Sequence, residues 1–530
     1  MTNFFSLLKV QLLSLFGLNK ILHGDKTKKL KGVGGLVVMA LLFGCLIGGI
    51  GCIYSQMFAT MLAQTNQIHL LIPLMIAMSA IISLIFSIYE INATLFGFKD
   101  YDMLMSMPLK PQTIVGAKYA FIYLGDLILS LLVVIPSIIV YASYTGGIVV
   151  GEVLATLLFV VVSPLLPIAI STIVGTVIAI ISSFFKKTAV IQTILTILIF
   201  VAFLAFNVLS GMDMEENAGL PFFGSLNSIY FIMPWLVNGQ SDFLYGLLYV
   251  AVNVLPAILI FTLLCVYYKK LNTVITAKRT SGAYKVTTYS SSSVKKALFV
   301  KEIRRLFSCS IYAVNCIFGA IMSVLLSVGI VIAYHYLKSL DPSIVVAIEA
   351  LMVFLPVIYC FSFMMAPTTA CSLSLEGNKL WLLKTAPLSF KEIMNAKLSV
   401  NNLLNVLPAF VSSLVVFIFC GMEFFTGVLL VVCAVAIAFT SGTLGLLFNL
   451  RFPKYDWKSE TEAAKQGLPV FLMVMTSMGL TALLSLFIYF VELPMLAIFG
   501  IIASFFVACA VVTYILLIKQ GEKLFHKYSK

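Results

Sequence analysis

Tyr119-Ala-Phe-Ile-Tyr-Leu-Gly-Asp-Leu-Ile-Leu-Ser-Leu-Leu-Val-Val-Ile-Pro-Ser-Ile-Ile-Val-Tyr-Ala-Ser143 is an apolar run whose one charged member is Asp126. A helix needs roughly 20 apolar residues to cross a bilayer, so this run reads as a spanning segment. Runs of the same kind lie before it at 33–60 and 69–95, and after it at 153–183, 188–209 and 244–268. A second series follows at 311–337, 345–370, 399–420, 424–449, 468–491 and 494–518. Apolar residues make up 61% of the 530 and charged residues only 10%, against about 25% charged in a soluble domain. The expected fold is therefore an all-α polytopic membrane protein of about twelve transmembrane helices.

The charges that remain are sorted by position. Lys9 to Lys31 precede the first run, and Lys99, Lys110 and Lys118 lie between the second and third. Lys186 and Lys187 follow the fourth, and ten basic residues lie between Lys269 and Arg305. Further groups follow the eighth, tenth and twelfth runs, so that Lys338 alone of the 34 lysines and arginines falls on the other side. Cytoplasmic loops carry the lysine and arginine excess, which places both termini in the cytoplasm. Orientation thus accounts for the net charge of +13, and no nucleic-acid partner is needed to explain it. The apolar stretch 3–18 is followed, not preceded, by its lysines, the wrong order for a cleaved signal peptide. Ten cysteines show no C-x-x-C spacing and read as buried thiols rather than a zinc site or a disulfide framework.

The loop on the N-terminal side of the run 119–143 is repeated. Asp100-Tyr-Asp-Met-Leu-Met-Ser-Met-Pro-Leu-Lys-Pro-Gln-Thr-Ile-Val-Gly-Ala-Lys118 aligns without a gap on Lys379-Leu-Trp-Leu-Leu-Lys-Thr-Ala-Pro-Leu-Ser-Phe-Lys-Glu-Ile-Met-Asn-Ala-Lys397. Leu104 meets Leu383, Pro108-Leu109 meets Pro387-Leu388, and Ala117-Lys118 meets Ala396-Lys397; in the next span Asp126 meets Asn405. Each half also opens on a short amphipathic stretch, 3–18 and 294–308, containing Phe4-Phe5-Ser-Leu-Leu-Lys-Val and Ala297-Leu-Phe-Val-Lys-Glu-Ile-Arg-Arg-Leu-Phe307. The expected organisation is a first six-span half (1–268), a polar cytoplasmic linker (269–293) and a second six-span half (294–530). An even number of spans per half makes the repeats parallel, about an axis along the membrane normal.

In each copy of the loop a helix-sized run ends at a proline and a second segment leads into the membrane. Such a short helix, with Lys99, Asp100, Asp102 and Leu104 in the first copy and Lys379, Trp381 and Leu383 in the second, suits either a partner's groove or lipid headgroups. The amphipathic lead helices, the six-span halves and the Pro-Leu…Ala-Lys wording resemble ABC-2 type permeases, the membrane subunits of bacterial ABC exporters. Glu376-Gly-Asn-Lys-Leu-Trp-Leu-Leu-Lys-Thr-Ala-Pro387 and Phe452-Pro-Lys-Tyr-Asp-Trp-Lys-Ser-Glu460 are similar to the fused, double-length branch of those exporters. The resemblance implies that 97–118 and 376–397 are coupling loops on which a separate ATPase docks. It assigns that role to Lys99, Asp100, Asp102, Leu104 and Pro108, and to Glu376, Lys379, Trp381, Leu383 and Pro387. It also implies two ATPase copies, with ATP and Mg on those partners, no cofactor on this chain, and a bacterial plasma membrane as the location. No G-x-x-x-x-G-K-[ST] string occurs, so the chain is not expected to be an enzyme in its own right.

The rival expectation is a secondary active transporter, also built from two six-span halves and independent of any ATPase. Its coupling ions would need charged groups within the spans, where ionisable residues are costly and often functional. The candidates are Glu90 and Asp126, with Asn405 as the neutral counterpart; local pairing is the simpler reading. Two further clusters are noted: Asp456, Trp457, Glu460 and Glu462 after the tenth span, read as a partner contact or a solvated helix cap, and 225–238, read as a lid or an aromatic anchor. Gly44 and Gly48 form a G-x-x-x-G of the close-packing kind. The transported substrate is not encoded in any recognisable pattern.

Overall fold

The computed structural model describes residues 2–14, 41–63, 67–96, 101–185, 188–199, 230–279, 293–340, 352–457 and 460–527, apart from single positions or pairs within those ranges. The chain divides into two compact units, Met1–Tyr284 and Lys285–Lys530. Every described element is helical, and ten helical segments are long and apolar enough to cross a membrane. They correspond to all the expected spans except the first and fifth. Those two fall partly outside the described residues, although 51–60 and 190–199 are helical.

Unit 1 contains α1 (Thr2–Ser14), α2 (Leu71–Ile91), α3 (Tyr101–Ser106), α4 (Pro111–Thr145), α5 (Val150–Val162), α6 (Leu165–Ser183), α7 (Met233–Asn238) and α8 (Phe243–Arg279). The expected third span begins too late at 119. Pro111 sits in the first turn of α4, where its missing N–H costs nothing, and the helix runs from there to Gly146, whose φ of +75° ends it. The expected fourth span is two helices, because Pro164 interrupts the run between α5 and α6. Close backbone approach occurs at Gly51, where a Cβ would lie 3.3 Å from the carbonyl oxygens of Leu132 and Val133; Gly44 and Gly48 are less tightly packed. Of the segment 225–238, residues 225–229 lie outside the described residues; in 230–238 Phe231 is 59% exposed while its neighbours pack into unit 1. Ile232, Met233 and Leu236 are buried against Leu71, Phe159 and Tyr249, and the Tyr230 and Tyr249 hydroxyls are 3.0 Å apart.

Unit 2 contains α9 (Val294–Leu306), α10 (Ser310–Leu340), α11 (Leu355–Met364), α12 (Thr369–Ser372), α13 (Leu380–Thr385), α14 (Phe390–Asn401), α15 (Leu407–Phe419), α16 (Phe424–Arg451), α17 (Glu460–Ala464), α18 (Leu468–Phe490) and α19 (Met495–Lys527). A π-helical turn, Asn402–Val406, joins α14 to α15, so the ninth span also starts earlier than expected, at Phe390. The eighth span is broken. Pro367 has no N–H to give to the preceding turn, α11 stops at Met364, and α12 resumes at Thr369. Van der Waals packing carries the rest. Phe363, Cys433, Ile437, Phe499 and Phe506 sit in one apolar core, and Gly319 lets α10 lie so close to the Ser362 carbonyl that any side chain there would overlap it.

Candidate functional site

The second repeated loop is held by the spans on either side of it. After the break in span eight, the buried start of α12 is stitched to its neighbours by asparagines. Asn401 Oδ1 accepts from the Thr368 N–H (3.1 Å) and the Thr368 hydroxyl (3.2 Å). Asn449 Nδ2 donates to the Thr369 carbonyl (3.0 Å), while its Oδ1 accepts from the Ser374 hydroxyl (2.6 Å). Backbone groups freed within a membrane fold must find such partners. Gly442 and Gly445 of α16 make the space: a Cβ at either would lie 2.6 Å from Asn401 Nδ2 or Thr369 Oγ1.

A tight turn, Ser374–Lys379, then redirects the chain through Gly377, whose φ of +51° and ψ of −133° suit glycine alone. Helix α13 follows, and only part of it faces out. Leu380 and Leu383 are buried with Leu298, Phe390, Met394 and Leu446, whereas Trp381 is 60% and Leu382 51% exposed. Leu383 is therefore a mounting residue inside unit 2, not a surface anchor. Lys379 and Pro387 are exposed. Beyond Pro387, Ser389 caps α14: its hydroxyl accepts from the Glu392 N–H, and the Glu392 carboxylate accepts from the Ser389 N–H.

Beneath the turn lies a cluster of charges with Lys397, Glu302 and Glu376 at its buried centre. Lys397 Nζ donates to Glu302 Oε1 (2.9 Å), Glu376 Oε1 (3.1 Å) and the Ser372 carbonyl (3.2 Å), and Lys397 is fully buried. Lys301 lies 2.5 Å from Glu376 and 3.4 Å from Glu302. Arg305 donates to the Leu375 carbonyl (2.6 Å) and lies 3.9 Å from Glu460. Three cations face three carboxylates drawn from the lead helix α9, the turn, α14 and α17. Loss of one member of the buried Lys397–Glu302–Glu376 group would leave a charge uncompensated, so that group ties α9, the turn and α14 together, while α17 is joined by the part-exposed Arg305–Glu460 pair. Glu376 thus sits within this cluster as an internal tie, not as a surface contact. The acidic-aromatic cluster after span ten closes the same assembly. The Trp457 indole N–H donates to the Ser374 carbonyl (2.8 Å), and Glu462 lies 3.7 Å from Lys454.

Residues 10–519 match the protein family described as "Membrane protein of 12 TMs". The chain belongs to that family. No curated protein and no solved structure matches it. The twelve-span family match runs through both units, and the description agrees with the ten described spans together with the two segments that fall partly outside the described residues.

In unit 1 of this twelve-span protein, the first repeated loop keeps the helix–turn–helix plan, with α3, Pro108 and then α4. Met103 and Met107 are exposed, Pro108 is exposed and Leu104 is half-buried. Lys99 and Asp100 lie outside the described residues, as does the side chain of Asp102. Lys118, the counterpart of Lys397, is likewise buried, and its Nζ lies 3.3 Å from the Tyr268 hydroxyl, which donates to the Leu95 carbonyl. Asp126 is buried and accepts from the Ser83 (2.8 Å) and Ser87 (2.5 Å) hydroxyls. Its counterpart Asn405 is also buried, and donates to Asn401 Oδ1 (3.3 Å). Glu90 is half-buried near the end of α2. Glu90 and Asp126 belong to unit 1 and Asn405 to unit 2. Among the described residues, no group of three or more His, Cys, Asp or Glu side chains is placed to hold a metal ion.

Sequence reasoning missed Glu302, Asn401 and Asn449. A signal for Glu302 was present: it falls four residues after Leu298 and four before Leu306, on the apolar stripe of α9. A carboxylate on a buried stripe requires a buried cation.

Proposed function

We propose that this chain is the membrane permease subunit of an ATP-binding-cassette exporter of the ABC-2 type, in a bacterial plasma membrane with both termini in the cytoplasm. In this reading the chain provides the translocation pathway. Two separate ATPase copies, which carry the ATP and Mg, dock on the two repeated loops. The observation that carries the proposal is the presentation of α13: a short helix with Trp381 and Leu382 outward, standing on a buried ionic mount. An exposed tryptophan beside an exposed leucine on a rigid base is the kind of anchor that fills a partner's pocket. The same mount joins the loop to the lead helix and, through Lys397 of α14, to span nine, so a push on α13 would be passed to that span. Resemblance of the loop wording to coupling loops supplies the identity of the partner. Lipid headgroups would also accept Trp381, and a partner-free secondary transporter would leave the loop with that role alone.

The test is purification of the tagged full-length chain from its native membrane in mild detergent, with identification of what accompanies it. A P-loop ATPase present in the parent and lost from Trp381→Asp and Leu382→Asp would support the proposal. An unchanged ATPase complement in those variants would remove the loop from the interface. Absence of any ATPase from the parent would favour the secondary transporter.

A further inference from the structure

Residues 452–457 leave α16 after Arg451 with no regular helical or strand structure of their own, yet they tie the turn beneath α13 at several points. The Lys454 N–H donates to the Ser374 hydroxyl (3.0 Å), and the Trp457 indole N–H to the Ser374 carbonyl (2.8 Å). The indole covers Gly377 so closely that a Cβ there would lie 3.1 Å from Nε1 and 3.2 Å from Cε2 and Cζ2. The Arg305 guanidinium lies 6.0 Å from the centre of the same ring, within cation–π range.

We propose that 452–457 is a strap, with Trp457 as its fixing residue, that selects the conformation of the Ser374–Lys379 turn and so sets the direction in which α13 presents Trp381 and Leu382. The turn cannot do this alone. Gly377 is free to occupy several regions of backbone space, and its left-handed conformation is only one of them. Helix α13 has six residues, far fewer than a helix needs to persist by itself; Leu380 and Leu383 root it in the apolar cluster, and Lys384 lies over the Phe525 ring. The strap removes the alternatives by occupying the space over Gly377 and by holding the hydroxyl and the carbonyl of Ser374. It is anchored independently of the turn, because it continues directly from α16. Release of the strap frees the chain from Gly377 onward, and α13 with it, while Glu376 stays tied to Lys301 and Lys397 and the spans stay packed. This holds whatever docks on α13, and does not rest on the exporter reading.

The experiment uses the purified full-length chain in detergent. Trypsin is added, and the initial rates of cleavage after Lys379 and Lys384 are followed by mass spectrometry of the peptides. Thermal unfolding of the same samples is followed by a thiol-reactive dye that reports buried cysteines such as Cys360 and Cys433. Cleavage in this regime tracks the population of the locally open form. Trp457→Ala is expected to raise both local rates about tenfold or more, since it removes a hydrogen bond and the ring that covers Gly377. Trp457→Phe, which keeps a ring but loses the N–H, is expected to raise them about threefold. Both variants should unfold within a few degrees of the parent. Unchanged cleavage after Lys379 and Lys384 in Trp457→Ala would overturn the proposal. So would a rise at all tryptic sites together with an early unfolding transition, which would make Trp457 an ordinary packing residue of unit 2.

Discussion

Replacing Lys397 by methionine tests whether the ionic mount is what holds the lead helix, the turn and span nine together. Methionine approximates the aliphatic stem and deletes the ammonium, which lies 2.9 Å from Glu302, 3.1 Å from Glu376 and 3.2 Å from the Ser372 carbonyl. Two carboxylates, 7% and 8% exposed, are then left to share Lys301, whose side chain is 40% exposed. Leaving a buried charge without its partner costs about 3–5 kcal/mol. For a unit of this size each kcal/mol lowers the unfolding midpoint by about 2–4 °C, so the fall should be about 6–20 °C. The assay is the thermal exposure of Cys360, Cys371 and Cys433, all buried in unit 2. Adding Glu302→Gln to Lys397→Met restores charge balance between Lys301 and Glu376, and should recover about half of the loss. A single variant that unfolds within about 2 °C of the parent would refute the reasoning, given the size expected for a broken buried pair. A double variant less stable than the single would also refute it.

Asp126→Ala should destabilise unit 1 by about 1–3 kcal/mol, because the Ser83 and Ser87 hydroxyls lose their acceptor. Asp126→Asn, which retains an oxygen, should cost less; labelling of Cys265 during heating reads the difference, and equal losses would contradict the assignment. Gly442→Ala should cost about 1–3 kcal/mol through overlap with Asn401, whereas Gly479→Ala, with no atom within 4 Å of its added Cβ, should be neutral or better. Unfolding midpoints of the two variants measure this directly. Trp381→Asp and Leu382→Asp should leave the midpoint unchanged, because both side chains are exposed, while removing any ATPase from the purified chain.

The class of fold was legible because bilayer thickness imposes a run length that composition cannot disguise. The ends of the spans were less so: Pro111 and Phe390 start helices well before the apolar runs begin. An α-helix extends into water as readily as into lipid, and apolar content marks only the part in lipid. The break at Pro367 falls close to the end of the expected run 345–370, where Thr368 and Thr369 follow it, and so reads in sequence as the end of a span. At the candidate site the repeat drew attention to Lys397, but its partner Glu302 lies far away in sequence, and pairing across such a separation leaves no periodic trace. The run Leu380-Trp-Leu-Leu383 offered four apolar side chains and no way to rank them. The helix turned Leu380 and Leu383 inward, three residues apart on one face, and left Trp381 and Leu382 outside.

The pairing of Asp126 with Ser83 and Ser87 bears on how the chain enters the bilayer during synthesis. A lone carboxylate within a nascent segment costs up to about 2.5–3.5 kcal/mol at insertion, the value for the segment's centre, and the two serines that offset that cost lie on the preceding span. The two segments are therefore best accommodated together, as a helical hairpin that has already made its side-chain hydrogen bonds when it leaves the translocation machinery. Shortening the connection between Ile91 and Pro111 would then impair biogenesis before it affected the finished protein.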